Sequence, residues 1–397
     1  MTLRPLGLAA GVTLAALALT GCVANTPAGT AGATSQAISV TGDDSTCTLS
    51  ATTAPSGTVT FTVSNRGTDS TEFEVLASDG LRIVSEKENI GPGTSGTLTT
   101  SLTAGKYVTA CIPGLVGKGV RSDFTVTDSG AKVVAEGSEK QQVDAAAKSY
   151  VGYVKDQTGQ LVTSTATFLD AWLAGDDARA KTLYATTRAH YERIEPVAES
   201  FGELDPQLDN RAADLTAGET WTGWHRIEKD LWQPDAAVPG ASGYGALTAA
   251  EKKALAAQLT TNTKQLYDEV TASTFTVGLD TIANGAVGLL DEVATSKITG
   301  EEETWSHTDL YDFQANLEGA RVAYEGVRSL LLTRDRALAT ELDTEFAALD
   351  KLLAGYGSLD TSYPSYTTLT TADKKALSDG VNALSEPLSK LAAALLG

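Results

Sequence analysis

Residues 221 to 232 read WTGWHRIEKDLW and set one of the chain's three histidines, His225, three positions before Glu228. On a helix these two share a face with Trp221 and Trp232, while Trp224, Ile227 and Leu231 form the adjoining apolar stripe. A carboxylate in such surroundings is costly unless it is paired or bound to a metal. Two readings follow: a local imidazolium–carboxylate pair on a half-exposed face, or two ligands for a cation. A second segment, AHYERIEPVAESF, sets Glu192, Glu195 and Glu199 on one helical face beside Ile194, Val197 and Phe201. Like charges three and four residues apart repel, so these acids also want a cation, with Arg188 and Arg193 as the ordinary counter-ions. Pro196 has no N–H for the carbonyl of Glu192, which predicts a freed oxygen and a kink beside the acids.

Helical bundles build metal sites by projecting carboxylates and histidines at i, i+3 spacing from facing helices. Mostly oxygen ligands with one imidazole suit iron and also accept manganese or zinc; because affinity rises toward copper, the ligand set does not name the metal. The chain has no HExxH, which excludes a zincin-type peptidase site.

The elements that must position these residues fall into two blocks. In GTVTFTVSNRG and STEFEVLAS, apolar residues alternate with polar ones, and turn signals such as NRG, SDG and GPGTSG separate such runs up to Gly130. This predicts an all-β sandwich over residues 40–130. A polar linker over 131–144 leads into alanine- and leucine-rich stretches with helical spacing. Helices are expected over about 141–174, 177–200, 219–232, 248–297 with a break, 306–334, 336–356 and 371–395. They make an all-α bundle over 145–397, large enough for two packed sub-bundles.

At the other end, MTLR precedes an apolar run from Leu6 to Leu19, too short to span a bilayer and suited to an export signal. It closes in LTGC, which resembles a bacterial lipobox with Cys22 as the lipidated residue, so residues 1–22 read as a lipoprotein signal peptide and 23–39 as a flexible tether. The mature protein is thus expected to sit lipid-anchored on the outer face of a membrane. A formal net charge of −20 repels nucleic acid and suits cations.

The blocks HYERIEPVAESFGELDPQLDNR, TGWHRIEKDLW and LLDEVATSKITGEEETWSHTDLYDFQANLEGA resemble the imelysin-like domain of the EfeO/EfeM iron-uptake family, and the likeness covers residues 145 to 397. The resemblance implies that His225 and Glu228 form the family's His-x-x-Glu motif and that Glu192, Glu195, Asp209 and Glu292 line the same metal cleft. Asp309, Asp312 and Asn316, on one helical face, would support those ligands from behind. His190 and His307 also fall in matching blocks; His190 lies toward Ile194 and Val197 and reads as structural.

STEFEVLASDGLRIVSEKENIGPG and AGKYVTACIPG are similar to the cupredoxin-like domain of the longer EfeO type. This region has neither histidine nor methionine, so a blue-copper centre of two His, one Cys and an axial Met cannot be built. Cys47 and Cys111 match the family's paired cysteines. They form either a disulfide closing the sandwich, as an oxidising compartment favours, or a second metal site with Glu72 and Glu74. The implied function is an extracytoplasmic iron-binding component, taking Fe2+ or Fe3+ with copper or zinc as other candidates, that hands iron to a permease alongside a haem peroxidase. The alternative is a metal-dependent peptidase of the imelysin type, with Glu195 as general base.

Overall fold

The computed structural model describes residues 36–114, 118–130, 139–215, 218–232, 245–295 and 297–396. The expected export signal, Cys22 and most of the tether lie outside the described residues. No helix among those described is long and apolar enough to cross a membrane.

The alternating segments pair into strands β1 (Gln36–Gly42), β2 (Cys47–Leu49), β3 (Thr53–Pro55), β4 (Gly57–Asn65), β5 (Thr71–Leu76), β6 (Ile83–Ile90), β7 (Ser95–Leu102), β8 (Gly105–Pro113) and β9 (Val120–Thr127). One sheet runs β2-β1-β4-β7 and the other β3-β9-β8-β5-β6. The first strand begins at Gln36, inside the stretch expected to be tether. Because side chains alternate between faces, Val59, Phe61 and Val63 from one sheet meet Phe73, Val75 and Phe124 from the other in a shared core.

Strand parity also decides the cysteine question. Phe73 is registered opposite Cys111, so both side chains enter the core, where Cys111 bonds Cys47 in a disulfide with a Cα–Cα distance of 5.7 Å. Glu72 and Glu74 are registered opposite Ile112 and Ala110 and therefore point from the other face of the same sheet. Of the two alternatives for Cys47 and Cys111, the chain builds the disulfide and not a metal site with Glu72 and Glu74: the thiols are consumed, and the sheet separates them from the acids.

That outer face packs on the helical domain. Ser149 donates to the Ile83 carbonyl, Arg82 pairs with Glu325 at 3.1 Å, and Glu74 is buried within reach of the charge of Asp156. Burial, and then Asp156 and Glu72, push the Glu74 carboxyl well above its usual range.

The helices are α1 (Glu139–Leu173), α2 (Asp177–Glu192), α3 (Leu204–Asp209), α4 (Gly223–Trp232), α5 (Ala249–Thr271), α6 (Leu279–Thr295), α7 (Asp309–Arg334), α8 (Arg336–Ala354), α9 (Thr371–Leu388) and α10 (Leu391–Leu396). The first of these starts within the expected linker. Thr248 and Thr370 each close a capping box that fixes where α5 and α9 begin. One continuous apolar cluster, from Tyr150 of α1 to Leu395 of α10, runs through the bundle, so the described helices share a single core rather than two sub-bundles.

The disulfide closes a loop across a sequence separation of 64. Replacing both cysteines by serine is expected to lower the stability of the β-domain by about 4 kcal/mol, the chain-entropy value for such a loop. Urea unfolding followed by probes in each domain checks this; metal binding by the folded variant should be unchanged, because the thiols are not ligands.

Candidate metal centre

Helix α2 stops at Glu192 instead of continuing to residue 200, and a 3-10 turn, Glu195–Phe201, takes over. Pro196 cannot supply the N–H that would bond the Glu192 carbonyl. The side-chain amide of Asn316 on α7 supplies it at 3.0 Å, and also donates to Glu192 Oε2 at 3.0 Å and Glu195 Oε2 at 2.6 Å. The break therefore turns two acids toward one amide. Helix α6 crosses this turn so closely that a Cβ at Gly285 would lie 1.8 Å from the Pro196 carbonyl oxygen.

Helix α4 begins at Gly223, with φ of +81° and a position where a Cβ would meet the Leu208 carbonyl oxygen at 2.1 Å. Only glycine combines that backbone with that contact. The result presses α4 onto the end of α3 and sets His225 beside Asp209. As the apolar stripe predicts, Trp224, Ile227 and Leu231 are buried, Trp224 against Phe168 at 5.7 Å and Tyr184 at 6.4 Å between ring centroids. Trp221 is half-buried and packs on Trp305 at 5.7 Å.

His225 is fully buried. Its Nδ1 lies 3.1 Å from Glu228 Oε2, and its Nε2 lies 3.5 Å from both Asp209 Oδ1 and Glu302 Oε1 without a hydrogen bond to either. The other Glu228 oxygen accepts from the backbone N–H groups of Trp305 at 2.9 Å and Ser306 at 2.7 Å. Two overlapping sets, Asp209 with His225 and Glu302, and His225 with Glu228 and Glu303, each bring their ligand atoms within 4.8 Å of one another. Both sets have the spacing of a cation site.

Two buried cations organise the acids. Arg188, which has no exposed side-chain surface, meets Glu192 and Asp209, lies 2.7 Å from Glu303 and 3.4 Å from Glu302, and approaches Asp312 at 3.8 Å. Lys297 lies 2.7 Å from Glu195, 3.1 Å from Glu192 and 3.9 Å from Glu302. The buried carboxylates still outnumber these cations. Asp312 has both oxygens, and Asp309 one, buried without a hydrogen-bond donor. Such under-satisfaction is what a bound cation would relieve.

The protonation pattern follows from that excess. Burial and Arg188 both act to lower the His225 imidazolium, but the neighbouring carboxylates of Glu228, Glu302 and Asp209 raise it to about 10. Burial, and then the charge of Glu228, push the Glu303 carboxyl well up, while burial and Glu303 do the same to Asp312. Burial brings Asp309 up to about 7. Glu302 goes the other way: burial opposes it, but Lys297, His225 and Arg188 hold it well below the carboxylate range.

The structure thus brings Glu192, Glu195, Asp209, His225 and Glu228 into one cluster, with Asn316 and Asp312 touching its members and Asp309 accepting from the Glu303 N–H at 3.3 Å. Glu292 is different: it is exposed on α6 and, with Glu195, Asp205, Asp209, Arg211 and Glu302, lines a cleft of about 570 Å³ that opens onto the cluster. His190 accompanies Gln157 at 3.0 Å, and burial holds its imidazole down to about 3, so it stays neutral. Of the expected counter-ions, Arg193 leaves the acids for Glu318 at 2.8 Å. Glu302, Glu303 and Lys297 were not singled out from sequence. They lie between α6 and α7, where no helical period gives their side chains a direction.

Replacing Arg188 with methionine strips the acids of α2, α3, α7 and the 302–303 segment of a shared partner. Breaking a buried charge pair on one side costs about 3–5 kcal/mol, and a loss of that size is expected here. Chemical denaturation of the variant measures it, and a change below about 1 kcal/mol would show that the guanidinium does not hold the cluster.

The chain matches the imelysin family over residues 146–391 and the cupredoxin-like domain family over residues 11–120. The iron uptake system component EfeO of Yersinia pestis is 37% identical over 359 residues, 90% of each chain. EfeO of Escherichia coli strain K12 is 37% identical over 357 residues, 89% of this chain and 90% of its own. A multicopper oxidase crystal structure aligns over 26% of this chain and 45% of its own at 16% identity and a TM-score of 0.18, too slight a likeness to bear on fold or copper. On the imelysin match and on likeness along nine-tenths of its length, this chain belongs to the imelysin family, in the branch that holds the EfeO iron uptake components.

Proposed function

We propose that this protein is the extracytoplasmic, lipid-anchored iron-binding component of an Efe-type uptake system, capturing iron in the helical cleft and delivering it to a membrane permease that works beside a haem peroxidase. The observation that carries this reading is His225 Nε2: a buried ring nitrogen with no hydrogen bond, 3.5 Å from two carboxylates, Asp209 and Glu302, that line an acidic cleft. The iron-uptake role that the EfeO relatives are named for and the LTGC sequence at Cys22 support the setting.

His225, Asp209 and Glu302 would hold the ion, with Glu228 and Glu303 as the second face of the same imidazole. Oxygen donors with one imidazole suit iron and leave zinc or copper as competitors. Glu292 and Asp205 at the mouth would raise the local cation concentration, aided by the −20 net charge. Glu228, tied to two backbone N–H groups, fixes the ring that it pairs with. The peptidase reading needs Glu195 as an available base, whereas both its oxygens are engaged by Lys297 at 2.7 and 2.9 Å, and one also by Asn316.

Titration with chelator-buffered ferrous iron under anaerobic conditions tests the site. The His225→Ala, Glu302→Ala double variant is expected to bind at least about 100-fold more weakly, beyond what loss of a supporting residue alone produces. Wild-type affinity in the folded double variant would exclude this site.

The pH dependence has a fixed sign. In the empty protein His225 titrates at about 10 and is therefore protonated at neutral pH, so a metal that takes Nε2 or Nδ1 must expel a proton. Affinity should rise about tenfold per pH unit for each proton released between pH 5.5 and 7.5. Calorimetry in buffers of different ionisation enthalpy counts the protons, and a count of zero would remove His225 from the ligand set.

A further inference from the structure

Lys297 stands where another cation would fit. Its side chain is 2% exposed, and its Nζ lies 2.7 and 2.9 Å from the two Glu195 oxygens, 3.1 Å from Glu192 Oε2 and 3.9 Å from Glu302 Oε1. It is delivered by the 3-10 turn Lys297–Thr299, directly after the helix whose residues line one wall of the cleft. Glu195 and Glu302 line that cleft too. The same Glu302 oxygen lies 3.5 Å from His225 Nε2. A cation bound between Asp209, His225 and Glu302 would therefore share a carboxylate with the ammonium and be repelled by it.

The two buried cations are not equivalent. The Arg188 guanidinium is a planar fork locked among acids from several elements, while Lys297 ends in a point charge on a flexible four-carbon stem. A point charge on a flexible stem is held by fewer geometric constraints than a guanidinium fork.

We propose that Lys297 is a tethered counter-cation: it neutralises Glu192, Glu195 and Glu302 while the cleft is empty and competes with the cargo for the same oxygens when metal arrives. The inference rests on the metal reading of the His225 cluster. It makes Lys297 the residue that sets affinity, holding it below what the acids alone would give and leaving a cation in place to take the carboxylates back on release.

The test uses the full chain with Zn2+ as a redox-inert probe and with Fe2+ under anaerobic conditions, on wild type, Lys297→Met and Lys297→Gln. Isothermal titration and thermal melts are read together. Both variants should bind each ion at least tenfold more tightly than wild type, melt at a lower temperature when metal-free, and gain more in Tm from metal than wild type gains. If Lys297→Met fails to fold, Lys297→Gln, which keeps an N–H donor without the charge, decides alone. Equal or weaker binding by a folded variant would overturn the proposal and make Lys297 an organiser of the acids. Absence of binding by wild type would instead bring down the metal reading, and this inference with it.

Discussion

The helical domain depends on one guanidinium. Arg188 is buried among carboxylates drawn from α2, α3, α7 and the segment before α7, elements far apart in sequence that would repel one another in a medium of low dielectric. A delocalised cation with five donors is the side chain suited to several acids at once, and it stays charged whatever its neighbours do. With Arg188 in place the acids can be collected at all; with only Arg188 and Lys297 they remain in excess. The resulting negative imbalance, walled by Trp224, Tyr184 and Phe168, distinguishes the cluster from a finished salt-bridge network.

How the sequence encodes this cluster varies by element. Where a residue sits on a helix or strand, its direction was legible: the apolar stripe of α4 placed His225 and Glu228 together, and Pro196 announced the break that Asn316 fills. Period-two alternation gave the sandwich. Directions are lost where no period operates, which is why GEEETW does not reveal Glu302 and Glu303, which the fold sets against His225 and Arg188. Arg188 was read as a local counter-ion because spacing reveals its partner Glu192 at i+4, but not Asp209, Glu303 or Asp312, which only the fold brings near. The choice between a disulfide and a metal site with Glu72 and Glu74 stays open in the sequence for a related reason. Whether two strands present their residues to the same face depends on register, and the Phe73 to Cys111 pairing is non-local.

That register also divides labour between the domains. The core face of the five-stranded sheet holds the disulfide and a dry aromatic core of Phe61, Phe73 and Phe124. The opposite face carries Glu74 into the contact with α1, where Arg121 reaches Asp156 at 3.9 Å. Charge on the β-domain is thus used in docking it to the bundle, and its sulfurs are used in closing it. The histidine-bearing ligand sets lie wholly in the helical domain.

On the proposed reading, capture and delivery would place opposite demands on such a cluster. Uncompensated buried acids would bind any divalent ion tightly but would destabilise the empty protein, since each unpaired charge costs several kcal/mol. Fully compensated acids would give a stable protein with no reason to bind. Arg188 meets the first demand by fixing the scaffold permanently, and the proton on His225 together with the ammonium of Lys297 meets it reversibly. On that reading both would leave when a cation arrives and return when it departs. A site whose stand-in charges are, as proposed, a proton and a tethered amine would be stable when empty, responsive to pH, and able to part with what it binds.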